Sequence, residues 1–419
     1  MTGHSTIDNL YLMMNYIKLL IELIVITVGV PFFSFCSEEM PFDLPVQSEV
    51  IMYLSENKIG NGDGLSSENA ADYLDYRFWE EVNSLLISKS VEIIFLAGDY
   101  HRAFQEGGLQ LRNIGNANNR LTVTGGREVI FHALEGYPLK STIMIFRGCQ
   151  NIHLRDFNFT GNGSINYVLQ IRSEDDTLPS RNILIENCTW IDMNGVVYGA
   201  TGAVLDRTSN VTYKNCIFKR IGRDPGSHMM YHAYGSTNIK VIDCHFEDCT
   251  GAYVRFRDRC DYGLVKNCTF IRNQDYIAVA FINVPCYNDV NPGDEYFATN
   301  YSFVGNQFIN RAYSEINDAI LFSQRGYAPP QYNYLLTANE GTMLRDGSKY
   351  DRMKLLKDNF GLDVGKIRVA NNSYRTRFKN HVALYLQVDY GASSKGFVGK
   401  TVITDLLNNS SVPFDWEDL

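Results

Sequence analysis

Asn182-Ile-Leu-Ile-Glu-Asn-Cys-Thr-Trp190 is followed by Asn210-Val-Thr-Tyr-Lys-Asn-Cys-Ile-Phe218 and then by Asn238-Ile-Lys-Val-Ile-Asp-Cys-His-Phe246. The pattern begins earlier, at Asn151-Ile-His-Leu-Arg-Asp-Phe-Asn-Phe159. It continues through Tyr262-Gly-Leu-Val-Lys-Asn-Cys-Thr-Phe270 and Asn300-Tyr-Ser-Phe-Val-Gly-Asn-Gln-Phe308, with a further copy at Arg368-Val-Ala-Asn-Asn-Ser-Tyr374. From Phe159 to Phe308 the closing aromatics lie 24 to 38 residues apart, the mark of a regular core with variable insertions. Ile183 and Ile185 alternate inward, as a strand's period of two requires. The sixth column holds Asp156, Asn187, Asn215, Asp243, Asn267 and Gly305, the residue types that best tolerate a left-handed backbone. It marks a sharp turn between two short strands. Cys188, Cys216, Cys244 and Cys268 in the seventh column read as a ladder of small buried thiols, since no Cys-x-x-Cys pair suggests metal or redox chemistry.

Upstream of each copy lies another strand: Ile143–Phe146, Leu169–Arg172, Ala203–Asp206, Tyr231–Tyr234, Val254–Arg257 and Val279–Ile282. Three short strands per rung, stacked in parallel, predict an all-β chain: a right-handed parallel β-helix, grown by adding rungs around one core. An open rung needs a cap. Tyr73, Leu74, Phe78, Val82, Leu85 and Leu86 share a helical face, so an N-terminal capping helix is expected over 67–86 with Ser67 as N-cap. Coils are expected over 92–376, with a helical insertion at 348–360 and last coils or a C-terminal cap over 377–419. All belong to one domain, 37–419.

The first 36 residues read as a targeting segment. Lys18 precedes an apolar run, Leu19 to Phe35, broken only by Glu22 and short for a membrane span. Cys36, followed by Ser37, Glu38 and Glu39, resembles a bacterial lipoprotein cleavage site, although Phe35 is a poor residue before it. A plain secretory signal and an outer-membrane lipid anchor at Cys36 both remain open. Either implies export to the periplasm, the cell surface or the medium. The net charge of −9 argues against general nucleic-acid binding. Residues 200–274, however, hold 11 Lys/Arg against 7 Asp/Glu, so a local basic groove is expected.

Gly60-Asn-Gly-Asp-Gly-Leu-Ser66, the capping helix, Ile94-Phe-Leu-Ala-Gly-Asp-Tyr100 and Leu121-Thr-Val-Thr-Gly-Gly126 together resemble the opening of β-helix polysaccharide lyases of the chondroitinase B and alginate lyase type. A further similarity is to the Bacteroides glycosaminoglycan lyases of polysaccharide lyase family 29. The likeness covers roughly residues 50 to 310 and is one of architecture. It implies secretion, an acidic polysaccharide and β-elimination. It transfers no catalytic motif residue by residue, and the calcium-binding Asn and Glu of chondroitinase B-like enzymes have no clear counterpart. The Asn-Thr-Asp, Gly-His-Gly and Arg-Ile-Lys motifs of polygalacturonase-type hydrolases are absent. The one Asp-Asp, Asp175-Asp176, falls in a loop insertion.

A uronate lyase neutralises the sugar carboxylate, removes the C5 proton and expels the C4 oxygen, work suited to Arg, Lys, His and Tyr. In Val254-Arg-Phe-Arg257, Val254 and Phe256 seek the core, which turns Arg255 and Arg257 outward. One rung earlier, His232 and Tyr234 point outward if Ala233 packs inside; the opposite phase buries His232 and exposes Tyr231. The expected catalytic set is His232, Tyr234, Arg255 and Arg257. Arg172, Gln170, Arg223, His228 and Arg259 are the expected substrate contacts, with Arg220 beside the same loop. No metal or other cofactor is expected; calcium on Asp206, Asp258 and Asp261 is the alternative. The functional expectation is a monomeric exported lyase acting on a uronic-acid polysaccharide, with a glycosaminoglycan such as chondroitin or dermatan sulfate first. A β-helix glycoside hydrolase and a non-catalytic polysaccharide-binding or adhesive β-helix are the alternatives.

Overall fold

The computed structural model describes residues 48–138, 140–175, 178–204, 208–274, 280–288, 300–312, 318–326 and 366–376. It also describes the strands at 384–390, 397–402 and 414–418, and isolated positions between 343 and 357. The targeting segment 1–36, Cys36, Asp176, Asp206 and most of the expected helical insertion lie outside these residues.

Three long sheets stand side by side. Sheet A has eleven strands and runs from Ala71–Asp72 through Val50–Ser55, Val91–Phe95 and the successive repeat strands to Arg368–Ala370. Sheets B and C have ten each, B running from Gly98–Tyr100 to Phe414–Asp418 and C from Leu109–Arg112 to Phe397–Val402. Consecutive strands within a sheet come from consecutive rungs and pair in parallel, as in Arg181–Glu186 with Ser209–Lys214. An antiparallel pair, Leu384–Tyr390 with Phe397–Val402, closes sheet C. The chain is a parallel β-helix.

The columns explain why the rungs repeat. Phe159, Trp190, Phe218, Phe246, Phe270 and Phe308 stack through the core at centroid distances of 4.5 to 5.1 Å. That spacing matches the separation of neighbouring strands. Cys188, Cys216, Cys244 and Cys268 are buried free thiols. Each Sγ donates to the carbonyl two residues back, at 3.3 to 3.4 Å. Burial pushes the first three well above the ordinary thiol range, which keeps them inert. Asn306 and Asn372 take the place of cysteine in the last two copies. The Asn306 amide donates to the Val265 carbonyl and to Asn372 Oδ1, both at 3.0 Å.

The sixth column does adopt left-handed backbone, with φ between 54° and 69° from Asp156 to Gly305. So does the first column, which carried no turn in the sequence reading: Asn151, Asn182, Asn210, Asn238, Tyr262 and Asn300 have φ between 52° and 62°. In these six copies both corners of the repeat strand are therefore left-handed turns. Asparagine side chains also bond along the stack, as Asn210 Nδ2 does to Asn182 Oδ1 at 3.0 Å.

The cap differs from the expectation. Ser67–Asn69 is a single 3₁₀ turn, and Ala71–Asp72 is a strand paired with Val50–Ser55. The α-helix is Tyr76–Leu85. Asp75, not Ser67, is its N-cap and accepts from the Arg77 amide at 3.0 Å. Tyr73 precedes the helix and is buried in the same core cluster as its inner face. Its carbonyl accepts from the Trp79 indole at 2.9 Å. Phe78, Trp79 and Val82 bury the helix against the first rungs. The stack itself starts at Val50, which pairs with Val91, and not at residue 92.

Sheet C also departs from the reading in two rungs: the strand expected at Tyr231–Tyr234 is His228–His232. The other described strand is Val196–Ala203, upstream of the expected Ala203–Asp206, whose last two residues lie outside the described ones. Its Gly199-Ala-Thr-Gly-Ala203 run has little β propensity and no hydrophobic alternation, so the sequence pattern pointed too far downstream.

Candidate active site

The candidate residues gather on the outer face of sheet C. His228–His232 pairs with Val254–Phe256 in the register Met230 with Val254, Tyr231 with Arg255 and His232 with Phe256. Val254 and Phe256 face the core, so His232 does too, and Tyr231 shares the outward phase with Arg255.

His232 is the main correction. It has no exposed surface, stacks on Phe256 at 5.3 Å and lies 5.6 Å from the Tyr213 ring. Its Nδ1 accepts from the Ala203 amide at 3.1 Å. Burial lowers its pKa to about 3. A ring sealed in the core cannot reach a polymer. Ala233 lies in a small outer cluster with Tyr167, Val204 and Tyr231, which confirms the phase. Tyr234 follows in the turn after the strand, at φ 56° and 38% exposed.

Around Tyr231 the groups converge. The Arg257 guanidinium donates to its phenol oxygen at 2.9 Å. The Arg255 guanidinium sits 5.0 Å from its ring centroid, and Arg257 sits 5.6 Å from that of Tyr234. The His228 ring stacks on Tyr231 at 5.6 Å and 20°. Burial raises the Tyr231 pKa, and the charges of Arg255 and Arg257 oppose that shift. Tyr231 therefore holds its proton at neutral pH.

His228 is buried, and both its nitrogens face donors. The Ala252 amide donates to Nδ1 at 3.0 Å, and Arg255 Nη1 lies 2.5 Å from Nε2. An imidazolium would set N–H against N–H on both sides. Burial, with Arg255 second, holds its pKa well below the ordinary imidazole value. His228, expected as a substrate contact, is thus a buried neutral ring that touches both Tyr231 and Arg255. Gly251 makes room for it, because a β-carbon there would lie 2.9 Å from Nδ1.

Sequence reasoning missed Tyr167, Tyr198 and Asn283. The Tyr167 ring lies 6.2 Å from that of Tyr231 and 6.0 Å from that of Tyr198, which is half exposed. Asn283 is the register partner of Arg255 on the next rung. The signal that could have found the tyrosines is the glycine pair between their rungs. A β-carbon on Gly202 would lie 2.1 Å from the Tyr231 carbonyl oxygen and 3.2 Å from the Tyr167 ring. The middle rung lacks side chains at Gly199 and Gly202, so the aromatics on either side close over it.

The remaining expected contacts scatter. Gln170 and Arg172 lie half-buried on the sheet C strand Ile165–Arg172. Arg259 is exposed at the rim, 3.9 Å from Asp258. Arg223 is exposed and paired with its neighbour Asp224 at 3.3 Å. Arg220 lies on sheet B and pairs with Asp192. The excess of basic residues over 200–274 is likewise spread around the rung. Lys214 pairs with Glu186 on sheet A, and Lys219 with Glu247 on sheet B. Of the expected calcium ligands, Asp261 accepts from the Asn300 amide at 3.0 Å. Among the described residues, no three His, Cys, Asp or Glu side chains gather as a metal site.

No family model and no curated protein matches the chain. Eighteen solved chains match it in structure. An alginate lyase from Paenibacillus sp. str. FPU-7 is 11% identical, covers 59% of this chain and 92% of its own, and gives a TM-score of 0.40. The pectate lyase Pel9A is 9% identical over 88% of this chain and 82% of its own, with a TM-score of 0.42. A 1,3-alpha-1,4-beta-D-galactose-4-sulfate-3,6-anhydro-D-galactose-2-sulfate 4 galactohydrolase is 15% identical over 79% and 72%, with a TM-score of 0.37. At such identities the likeness is one of fold.

Proposed function

We propose that this chain is an exported polysaccharide lyase that cleaves a uronic-acid polymer by β-elimination at the Tyr231 cluster. The observation that carries the reading is the Arg257 to Tyr231 hydrogen bond with Arg255 against the same ring, on the outer face of sheet C. The solved neighbours include both lyases and a hydrolase, so the reaction type rests on the side chains. Phenols and guanidiniums are the parts β-elimination uses. Glycoside hydrolysis instead needs two carboxylates placed across the bond.

In this reading Arg255 and Arg257 neutralise the uronate carboxylate, so that charge developing at C5 is stabilised. Tyr231, kept protonated by burial, donates to the departing C4 oxygen. Tyr234, whose ring lies 5.6 Å from the Arg257 guanidinium, is the group placed to take the C5 proton. His228 fixes the ring of Tyr231 and the guanidinium of Arg255.

Purified protein should be tested against chondroitin and dermatan sulfates, hyaluronan, heparan sulfate, alginate and pectins. The readout is the ultraviolet absorbance of unsaturated ends, with a glycosaminoglycan as the first substrate. New reducing ends without that absorbance would mean hydrolysis, and retention without cleavage would mean a binding protein.

A further inference from the structure

Three arginines stack in register at the start of the same outer face. Arg112 pairs with Arg147 and Arg147 with Arg172 on consecutive strands of sheet C. Such neighbours stand about 4.8 Å apart along the stack. Glu174 serves two of them: its Oε1 lies 3.8 Å from Arg112 Nη1 and its Oε2 3.3 Å from Arg147 Nε. The second contact is within ion-pair range but off hydrogen-bond geometry, and Arg147 Nε has no hydrogen-bond partner. Arg112 also donates to Gln110 Oε1 at 2.8 Å. The Arg172 guanidinium has no hydrogen bond or ion pair among the described residues, and its Nε is buried. Three permanent cations thus face one carboxylate, with a half-buried guanidinium left over. Burying such a charge without a partner is unfavourable, and a bound oxyanion would relieve it.

The row continues toward the Tyr231 cluster. The Val204 amide bonds the Ile171 carbonyl, the Ala233 amide that of Ala203, and the Arg257 amide that of His232. The outward positions therefore run Arg172, Val204, Ala233, Arg257. Three rung steps place the arginine stack about 14 Å from Arg257. The apolar patch of Tyr167, Val204, Tyr231 and Ala233 lies between them.

We propose that Arg112, Arg147 and Arg172 form an anion subsite for a carboxylate or sulfate ester carried by the same polyanionic glycan that reaches the Tyr231 cluster. The polymer's identity as substrate rests on the lyase reading; the anion site does not. It makes the ligand a chain with negative charges separated by several rungs.

The test is binding of dextran sulfate and of polygalacturonate, with neutral dextran as the blank, by titration calorimetry at fixed ionic strength. Arg172→Gln and Arg112→Gln should each weaken polyanion binding about tenfold, the usual effect of one lost charge-assisted contact. Glu174→Gln should strengthen it, which a merely structural glutamate would not do. Preference for one polymer over the other assigns the oxyanion as sulfate or carboxylate. Arg112 is half exposed, so its variant keeps the test open even if Arg172→Gln fails to fold. Unchanged binding in both arginine variants, or equal binding of neutral dextran, overturns the proposal. If the arginine variants lose binding while no polymer yields unsaturated ends, the lyase reading fails and the anion site stands. Cleavage with unchanged polyanion binding sinks the anion site alone.

Discussion

Arg257 and Tyr231, on adjacent rungs of sheet C, are joined by a 2.9 Å hydrogen bond from guanidinium to phenol. The pair forms because Ala233 and Tyr231 share one phase of their strand while His232 takes the other. Tyr231→Phe keeps the ring that stacks on His228 and removes only the hydroxyl. Turnover should fall about a hundredfold or more, the usual size of a lost general acid, with the thermal midpoint nearly unchanged. Steady-state rates on the polymer found by the screen check this. A well-folded Tyr231→Phe variant with near-full turnover would remove the proton-donor assignment.

Tyr234 sits at φ 56°, a conformation that glycine adopts freely and tyrosine does not. Asp258 and Arg259 in the next turn are left-handed as well, at 44° and 56°. Most left-handed corners of the stack carry Asn or Asp, so a tyrosine at this corner bears a strain that its neighbours avoid. Tyr234→Gly should relieve about 1 kcal/mol of strain, so that stability holds or rises while turnover is lost. Tyr234→Phe, which keeps the strain, should lose turnover without the gain. Parallel denaturation and activity curves separate the two effects. Equal stability losses in both variants would show that the ring, not the turn, matters there.

The parallel β-helix was legible in the sequence because its cause is a column. Each stacked aromatic, thiol and turn residue recurs at the same place, and the repetition survives insertions of any length. The outer face has no such redundancy. Whether His232 or Tyr231 points outward depends on one step of strand phase, and Ala233 fits either side. The sequence reading kept both phases open and placed His232 in its site. Gly199 and Gly202 hid the strand that brings Tyr167 toward Tyr231, since a strand poor in β formers leaves no pattern. The arginine stack was half visible, in Arg172. Arg112 and Arg147 join it only once the register is known.

His232 gives a pH signature that belongs to stability and not to catalysis. Its folded pKa of about 3 lies below the unfolded imidazole value near 6.5. The unfolded chain therefore binds the proton first. The neutral ring's contribution is fully present above about pH 6.5 and is lost progressively as the pH falls toward 3. His228 shifts in the same direction. His232→Phe should flatten the acid limb of the stability curve. At pH 8 it should be less stable, by about 1 to 3 kcal/mol, because the Ala203 amide loses its acceptor. Thermal melts between pH 4 and pH 8 read both effects, and turnover at pH 8 in the folded variant should stay near wild type. A large loss of specific activity there would return His232 to the site.

Phe256 is the internal control for the cluster, because it lies between Arg255 and Arg257 but on the other side of the sheet. It is fully buried, stacked on His232 at 5.3 Å and tilted against Tyr301 at 5.4 Å. Phe256→Ala should lose about 3 to 5 kcal/mol, the usual penalty for deleting a core aromatic. In a stack of rungs that penalty is felt first by the neighbouring repeats. Hydrogen exchange should therefore speed up around 228–232 and 301–303 before it does so at Trp190. Arg257→Gln should show the reverse: small stability change, unaltered exchange at Trp190 and a large loss of turnover. If Phe256→Ala lowers specific activity below 20 °C while exchange in the neighbouring rungs stays at wild-type rates, the division between core and working face at this strand is wrong.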